Sequence, residues 1–257
     1  MTERLRPLAS RLRPVWFPLA AVAAFEWYGR TAGQGSDALA PPSAAVRALW
    51  LALMDGSLLE ATAFTLGTAA LGLLVGSLLG VSLGIALGLS RRAAQMGFFS
   101  IEVLRPVPSV ALIPLAMLVF GFGVRMEFSI VAFASFWPML ILTQAAVQQV
   151  EPRLLEVSRV LGLSPAQRAL KIILPAIVPR LFVALRLGVA VALVVAVTVE
   201  IAANPHGMGY AMMIAQQSLD PPLMLAWLIW IGVVGYAINA GALWLQKWVA
   251  HRMGAPA

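Results

Sequence analysis

The sequence predicts an all-α, polytopic membrane protein with six transmembrane helices, and two observations lead there. Of 257 residues, 61% are hydrophobic and only 11% charged, with a mean hydropathy of +0.88. A soluble domain carries about 25% charged residues, so this chain cannot cover a water-exposed surface. Its apolar residues also gather into stretches that supply the roughly 20 residues a helix needs to cross a bilayer core about 30 Å thick. Little is left over for anything beyond one membrane domain spanning residues 1–257.

The apolar stretches place spans at about residues 14–30, 58–90, 98–120, 127–149, 178–202 and 222–249. The first follows a basic start, which also fits a secretory signal. However, it ends in Glu26, Trp27, Tyr28 and Gly29 without a small-residue cleavage site, so it reads as a first span with an aromatic interfacial end. Beyond it, Pro41-Pro42-Ser43 opens a short amphipathic helix carrying Val46, Leu49, Trp50, Leu53 and Met54, with Ser43 as its expected cap. This element fits the outer interface, as a packing piece.

The second span carries Gly72, Gly76, Gly80, Gly84 and Gly88 at a spacing of four, which predicts one face packed closely on another helix. The third opens with Arg105-Pro106-Val107-Pro108 and continues to Pro114. Prolines remove backbone donors and kink helices, and irregular backbone at membrane depth survives only inside protein or against a water-filled cavity. This span therefore belongs inside the bundle, near any pathway. Arg105 either pairs with Glu102 or lines an inner vestibule.

Orientation follows from the basic residues. With the amino terminus inside, Arg4, Arg6, Arg11, Arg13, Arg91, Arg92, Arg153, Arg159, Arg168, Lys171, Arg180, Lys247 and Arg252 are cytoplasmic, against Arg30, Arg47 and Arg125 outside. Both termini are then cytoplasmic. The formal charge of +7 reflects this topology, and because it is spread over separate loops it gives no reason to expect nucleic acid as a partner.

Residues 151–175, EPRLLEVSRVLGLSPAQRALKIILP, are too polar to span. Pro152 suits a first helical turn, Leu154, Leu155, Val157, Val160 and Leu161 supply an apolar side, and Gly162 ends the helix. Ser164-Pro165-Ala166-Gln167 then reads as a cap, an N1 proline and a capping-box glutamine. A short exposed amphipathic helix of this kind suits the groove of a partner.

The fifth span and the loop after it contain further polar candidates. Glu200 ends the fifth span, either as a pathway or gate residue or as an outer-end anchor in an interfacial hydrogen bond. Arg186, on the same helix, reads as a snorkelling anchor. His206 reads as a surface histidine in an outer loop turned by Gly207 and Gly209. The absence of cysteine excludes disulfides and thiol metal sites, and two histidines leave little for a metal.

The 151–175 segment resembles the EAA loop of binding-protein-dependent ABC importer permeases. Glu156, Gly162, Ile172, Leu174 and Pro175 stand in that motif's register, with Val157 and Ser158 where the family has two alanines. PPS at 41–43, GLSRR at 88–92, LRPVPSVALIPL at 104–115, FGFG at 120–123 and GMGY at 207–210 are similar to the nitrate/sulfonate/taurine branch, so the resemblance covers nearly the whole chain. It implies a non-catalytic subunit in a bacterial cytoplasmic membrane, importing a small solute such as a sulfonate, taurine or nitrate. Implied partners are a second copy of the chain, a pair of cytoplasmic ATPase subunits carrying the ATP and Mg, an extracytoplasmic substrate-binding protein and membrane lipid. It assigns ATPase coupling to the five motif residues, and the translocation pathway would include Glu200, Arg105 and Pro108.

Two rival functions fit the sequence less well. Gly80-Val81-Ser82-Leu83-Gly84 matches the G-x-S-x-G of serine hydrolases, but that motif needs a strand-to-helix elbow, and here it lies in an apolar glycine-repeat helix. A secondary carrier would show broken helices at matched positions in two halves, and only the third span is proline-rich. The chain has no phosphate-binding G-x-x-x-x-G-K-[ST] loop of its own.

Overall fold

The computed structural model describes residues 6–31 and 39–252; residues 32–38 of the Thr31–Ser57 segment lie outside that range. The described residues form eleven α-helices: α1 (Arg6–Arg30), α2 (Pro42–Met54), α3 (Ser57–Leu89), α4 (Arg91–Leu104), α5 (Ile113–Phe120), α6 (Val124–Gln148), α7 (Pro152–Val160), α8 (Pro165–Arg168), α9 (Leu174–Ala202), α10 (Met208–Gln217) and α11 (Pro221–Arg252). A 3₁₀ turn, Ser109–Leu112, precedes α5, and a π turn, Ala169–Ile173, joins α8 to α9.

These residues divide into two compact units, one reaching Glu60 and including Ala211–Ile231, the other comprising Ala61–Tyr210 and the chain from Gly232. In the first unit the outer end of α1 is stapled to the start of α2. The Glu26 carboxylate accepts hydrogen bonds from the Ser43 N–H at 2.9 Å, from the Ser43 hydroxyl at 2.7 Å and from Arg30. Ser43 is therefore not the cap of α2. Pro41 occupies the cap position without a side-chain bond, and a carboxylate from the preceding helix satisfies an orphan N–H of the first turn, where the helix dipole favours negative charge. Gly29 permits the approach: a Cβ there would lie 3.0 Å from Pro41. Between α2 and α3, the Ser57 hydroxyl and N–H hold the Asp55 carboxyl below the usual carboxylate range.

The core of the second unit is α3, α6 and α9. The glycine stripe of α3 lies on α6: a Cβ at Gly72, Gly80, Gly84 or Gly88 would stand 2.6–2.7 Å from Val131, Met139, Thr143 or Val147, and one at Gly76 would stand 2.5 Å from the Ala132 carbonyl. Both numbers rise together, so α3 and α6 run parallel. α9 is antiparallel to both, with the Asn204 end beside Glu127 and Arg180 donating to the Ala146 carbonyl at 3.3 Å.

Parallel packing of α3 and α6 carries a topological consequence. Gly88 lies level with Val147, and Val124 is about 35 Å back along α6 at 1.5 Å per residue. The intervening α4 and α5 must therefore return the chain through nearly the full thickness of the bundle. They do so as a broken span, bent by 83° between α4 and Ser109–Phe120. The kink expected in the third span at 98–120 is a full break. Pro106 and Pro108, two residues apart, each remove a ladder donor, so the helix stops at Leu104 and restarts as a 3₁₀ turn.

Among the described residues, four helices are long and apolar enough to cross a membrane: α3, α6, the continuous run Ala166–Ala202 and α11. The bent pair makes five. The fifth span thus begins about twelve residues earlier than expected. The helix runs through Pro175 because a π turn widens it where the proline ring would meet the carbonyl of Lys171. α1 has the length to cross, but Arg11, Arg13 and Glu26 leave it less apolar than the other four.

Candidate functional site

Three places on the second unit concentrate polar chemistry. The first is the segment between α6 and α9. α7 begins at Pro152 and ends at Gly162, whose φ of +64° is a left-handed conformation that favours glycine. The Leu163 N–H returns to the Ser158 carbonyl at 3.1 Å and the Leu161 N–H to Val157 at 2.9 Å, closing the helix end. A reciprocal capping box follows: the Gln167 N–H donates to the Ser164 hydroxyl at 3.3 Å, and the Ser164 N–H to the Gln167 side chain at 3.0 Å.

The five apolar residues expected on one side of α7 divide between two faces. Leu155 packs inward against Ala146, Val147, Ile173 and Ile177, and Ser158 is fully buried beside it. Burial at 158 demands a small side chain, the physical sense of a serine where the family motif has alanine. Leu154, Val157, Val160 and Leu161 are exposed, Val160 at 88%. Glu156 and Gly162 lie on the exposed surface, Ile172 and Leu174 are half-buried, and Pro175 is exposed in the continuous helix. α7 is therefore seated on the bundle by one face and leaves the other, which carries Leu154, Val157, Val160 and Glu156, exposed.

The second place is a cavity of about 470 Å³ at the break after α4, lined by Arg105, Val107 and Ser109 on one side and by residues of α6 and α9 on the other. Arg105 lies 4.0 Å from Glu102 and on the wall of this cavity. Pro108 is exposed and does not line the cavity; its neighbours Val107 and Ser109 do.

The third place, at the opposite end of the unit from α7, was largely missed from the sequence. Glu127 and Glu200 are both fully buried, with Thr65, Thr68 and Asn204 around them. The Thr68 hydroxyl and the Asn204 amide donate to the two oxygens of Glu127. The Gly209 N–H donates to Glu200 at 2.8 Å, and the Met208 N–H to the Thr65 hydroxyl at 2.9 Å. Gly207, at φ +93°, lets the chain pass directly over Glu200. These bonds tie the start of α10 and the preceding loop to α3, α6 and α9. The exposed His206 of that loop stacks on Phe64, ring centroids 5.1 Å apart. The available sequence signal was the pairing of Glu127, in the first turn of one span, with Glu200, in the last turn of its antiparallel neighbour. Arg186 differs from its snorkelling expectation: its Nε donates sideways to Asn239 of α11 at 3.1 Å. Ser82, the nucleophile position of the hydrolase-like motif, sits in mid-helix and donates to Leu79 at 3.0 Å, with no elbow around it.

Comparison with known proteins gives consistent matches. A family model described as binding-protein-dependent transport system inner membrane component matches residues 72–255. The chain is 31% identical over 250 residues to the aliphatic sulfonates transport permease protein SsuC of Bacillus subtilis (strain 168), covering 95% of this chain and 91% of the relative. It is 30% identical over 237 residues to the Escherichia coli (strain K12) protein of the same description, covering 92% and 90%. It is 29% identical over 202 residues to the bicarbonate transport system permease protein CmpB of Synechococcus elongatus, covering 78% and 72%. Among solved structures, an inward-facing form of the MetNI methionine ABC transporter has TM-score 0.64 at 18% identity, covering 79% of this chain and 95% of the other. An amino acid ABC transporter has TM-score 0.62 at 20% identity, covering 79% and 97%. At such identities the structural likeness speaks to the fold.

Proposed function

The chain belongs to the family of binding-protein-dependent transport system inner membrane components, the permease subunits of ABC importers, and from that premise we propose that two copies of it form the path for a small anion, driven by ATPase subunits seated on α7. The relatives named for sulfonates and bicarbonate support the anion class. ATP and Mg belong to the ATPase partner, and an extracytoplasmic protein delivers the solute. α1 supplies a sixth crossing, which puts both termini and α7 in the cytoplasm and the Glu127–Glu200 cluster at the outer end.

One observation carries the coupling assignment: α7 is held rigidly by Leu155, Ser158 and the Gly162 reversal while an apolar face beside Glu156 stays uncovered. Force passed between an ATPase and the bundle needs such an element, fixed at one face and open at the other. Ile172, Leu174 and Pro175 connect it to α9, so a displacement of α7 is delivered to a helix that lines the cavity. Within the cavity, Arg105 at the break supports a place on the pathway; Pro108 shapes the break, and Glu200 acts as the outer-end anchor of α10.

The test is co-purification with the ATPase, then uptake and substrate-stimulated hydrolysis in proteoliposomes with the binding protein added. Transport that persists with no ATPase present would overturn the importer reading in favour of a secondary carrier.

A further inference from the structure

Backbone and side-chain irregularities converge on the cavity beside Arg105. The α4 break leaves residues 105–108 non-helical on one wall. Pro138 stands inside α6 on the other, so the Ala134 carbonyl loses its helical donor, and both residues line the cavity. Trp137, held edge-on against Phe133 and Phe136 and only 9% exposed, has an indole N–H with no partner. Residues 137 and 138 lie near the middle of α6, a helix long and apolar enough to cross a membrane. Freed backbone groups at membrane depth persist where water or a ligand meets them, and a guanidinium there faces a polar path or an anion.

Two kinds of surface make up the lining. The polar residues of the lining are Arg105, whose side chain is 54% exposed, and Ser109, both able to donate. Glu102, 4.0 Å from Arg105, is not part of the wall. Facing these two are Phe133, Ile141, Leu142, Val191 and Val195, a continuous apolar surface from α6 and α9. A bare inorganic oxyanion would meet only the polar pair and leave this wall unused. A hydrocarbon would leave the guanidinium unpaired.

We propose that this cavity is an intramembrane site for an organic anion, whose acidic head, a sulfonate or carboxylate, sits against Arg105 and Ser109 and whose short alkyl tail lies along the α6–α9 wall. This rests on reading the chain as an importer permease, and it makes the permease itself select among solutes the binding protein releases. The volume of about 470 Å³ accommodates a head and several methylenes, within the range of about 300–1,000 Å³ usual for small-molecule sites.

The permease–ATPase complex in lipid nanodiscs, without binding protein, tests the site by titration with pentane-1-sulfonate, pentylammonium and bicarbonate, followed by intrinsic fluorescence. Pentane-1-sulfonate should give a saturable change, at least tenfold tighter than either of the others. Arg105→Gln should abolish it, Arg105→Lys should weaken it severalfold, and Trp137→Phe should remove most of the signal. Co-purification of Arg105→Gln with the ATPase shows that the variant has folded. Equal responses to pentane-1-sulfonate and pentylammonium, or an unchanged response in folded Arg105→Gln, would overturn the site. Those results would leave the importer reading standing, because complex formation and ATP-driven uptake are measured separately.

Discussion

Gly80 offers a test in which the structure sets both the sign and the size of the effect. A Cβ at this position would lie 2.7 Å from the Met139 Cβ and 2.7 Å from the Phe136 carbonyl oxygen, where ordinary carbon contacts are about 3.5–4.0 Å. Gly80→Ala thus requires α3 and α6 to part by about 1 Å. Because Gly76 and Gly84 lie on the same face, the contacts on either side open with it. Overpacking of this kind costs about 1–3 kcal/mol. Gly67, on the same helix, has nothing within 4 Å of a Cβ, so Gly67→Ala should be neutral or stabilise by about 0.5–1 kcal/mol through reduced backbone freedom. The two substitutions, chemically identical, should differ by about 1–4 kcal/mol, roughly a 5- to 700-fold difference in the folding equilibrium at tenfold per 1.4 kcal/mol. Unfolding in mixed dodecyl sulfate micelles, followed by tryptophan fluorescence, measures both. Met139→Ala should not rescue Gly80→Ala, since the offending atoms are a Cβ and a backbone oxygen. If Gly80→Ala and Gly67→Ala unfolded together at the wild-type position, close packing of α3 on α6 through the stripe would be refuted.

Other outcomes follow from the same geometry. Gly162→Val should leave the bundle intact, because no atom lies within 4 Å of a Cβ there; the left-handed backbone costs about 1–2 kcal/mol, and substrate-stimulated ATP hydrolysis should fall while Gly162→Asn keeps more of it. Glu156→Ala should act in the same direction, read in the same assay; full uptake by both 156 and 162 variants would remove the coupling assignment. Asn204→Leu leaves a Glu127 oxygen without its donor and should destabilise by about 1–3 kcal/mol, with proteolysis at the 204–209 loop as the local readout; unchanged protection there would show that the cluster does not hold α10. In the cysteine-free background, Arg47→Cys should react with an impermeant thiol reagent from outside and Ala166→Cys only from inside; the reverse pattern would reject the orientation.

What could be read from the chain tracks how local each signal is. The capping box at Ser164–Gln167, the reversal at Gly162 and the start of α7 at Pro152 depend on a few adjacent residues, and each forms as the spacing predicts. The glycine stripe predicted a packed face, since a four-residue repeat defines that face without reference to its partner. Ser43 misled because the competing partner, Glu26, is seventeen residues away on another helix. A cap is decided by whichever acceptor reaches the orphan N–H first in space.

The sequence by itself determined that this is a bundle of membrane helices, and it determined the helix, reversal and capping box of residues 151–175, because hydropathy, helix period and capping chemistry act within one turn or one span. Only the tertiary structure decided that α3 and α6 run parallel, which makes α4 and α5 a broken crossing. It alone decided that Leu155 and Ser158 face inward while Leu154 and Val157 stay open, and that Glu127 and Glu200 meet at one end of the bundle. Those outcomes depend on which faces of distant helices come together. A buried carboxylate is stable only with donors brought from other elements, Thr68 and Asn204 to one and Gly209 to the other, and nothing within one turn of either glutamate specifies them.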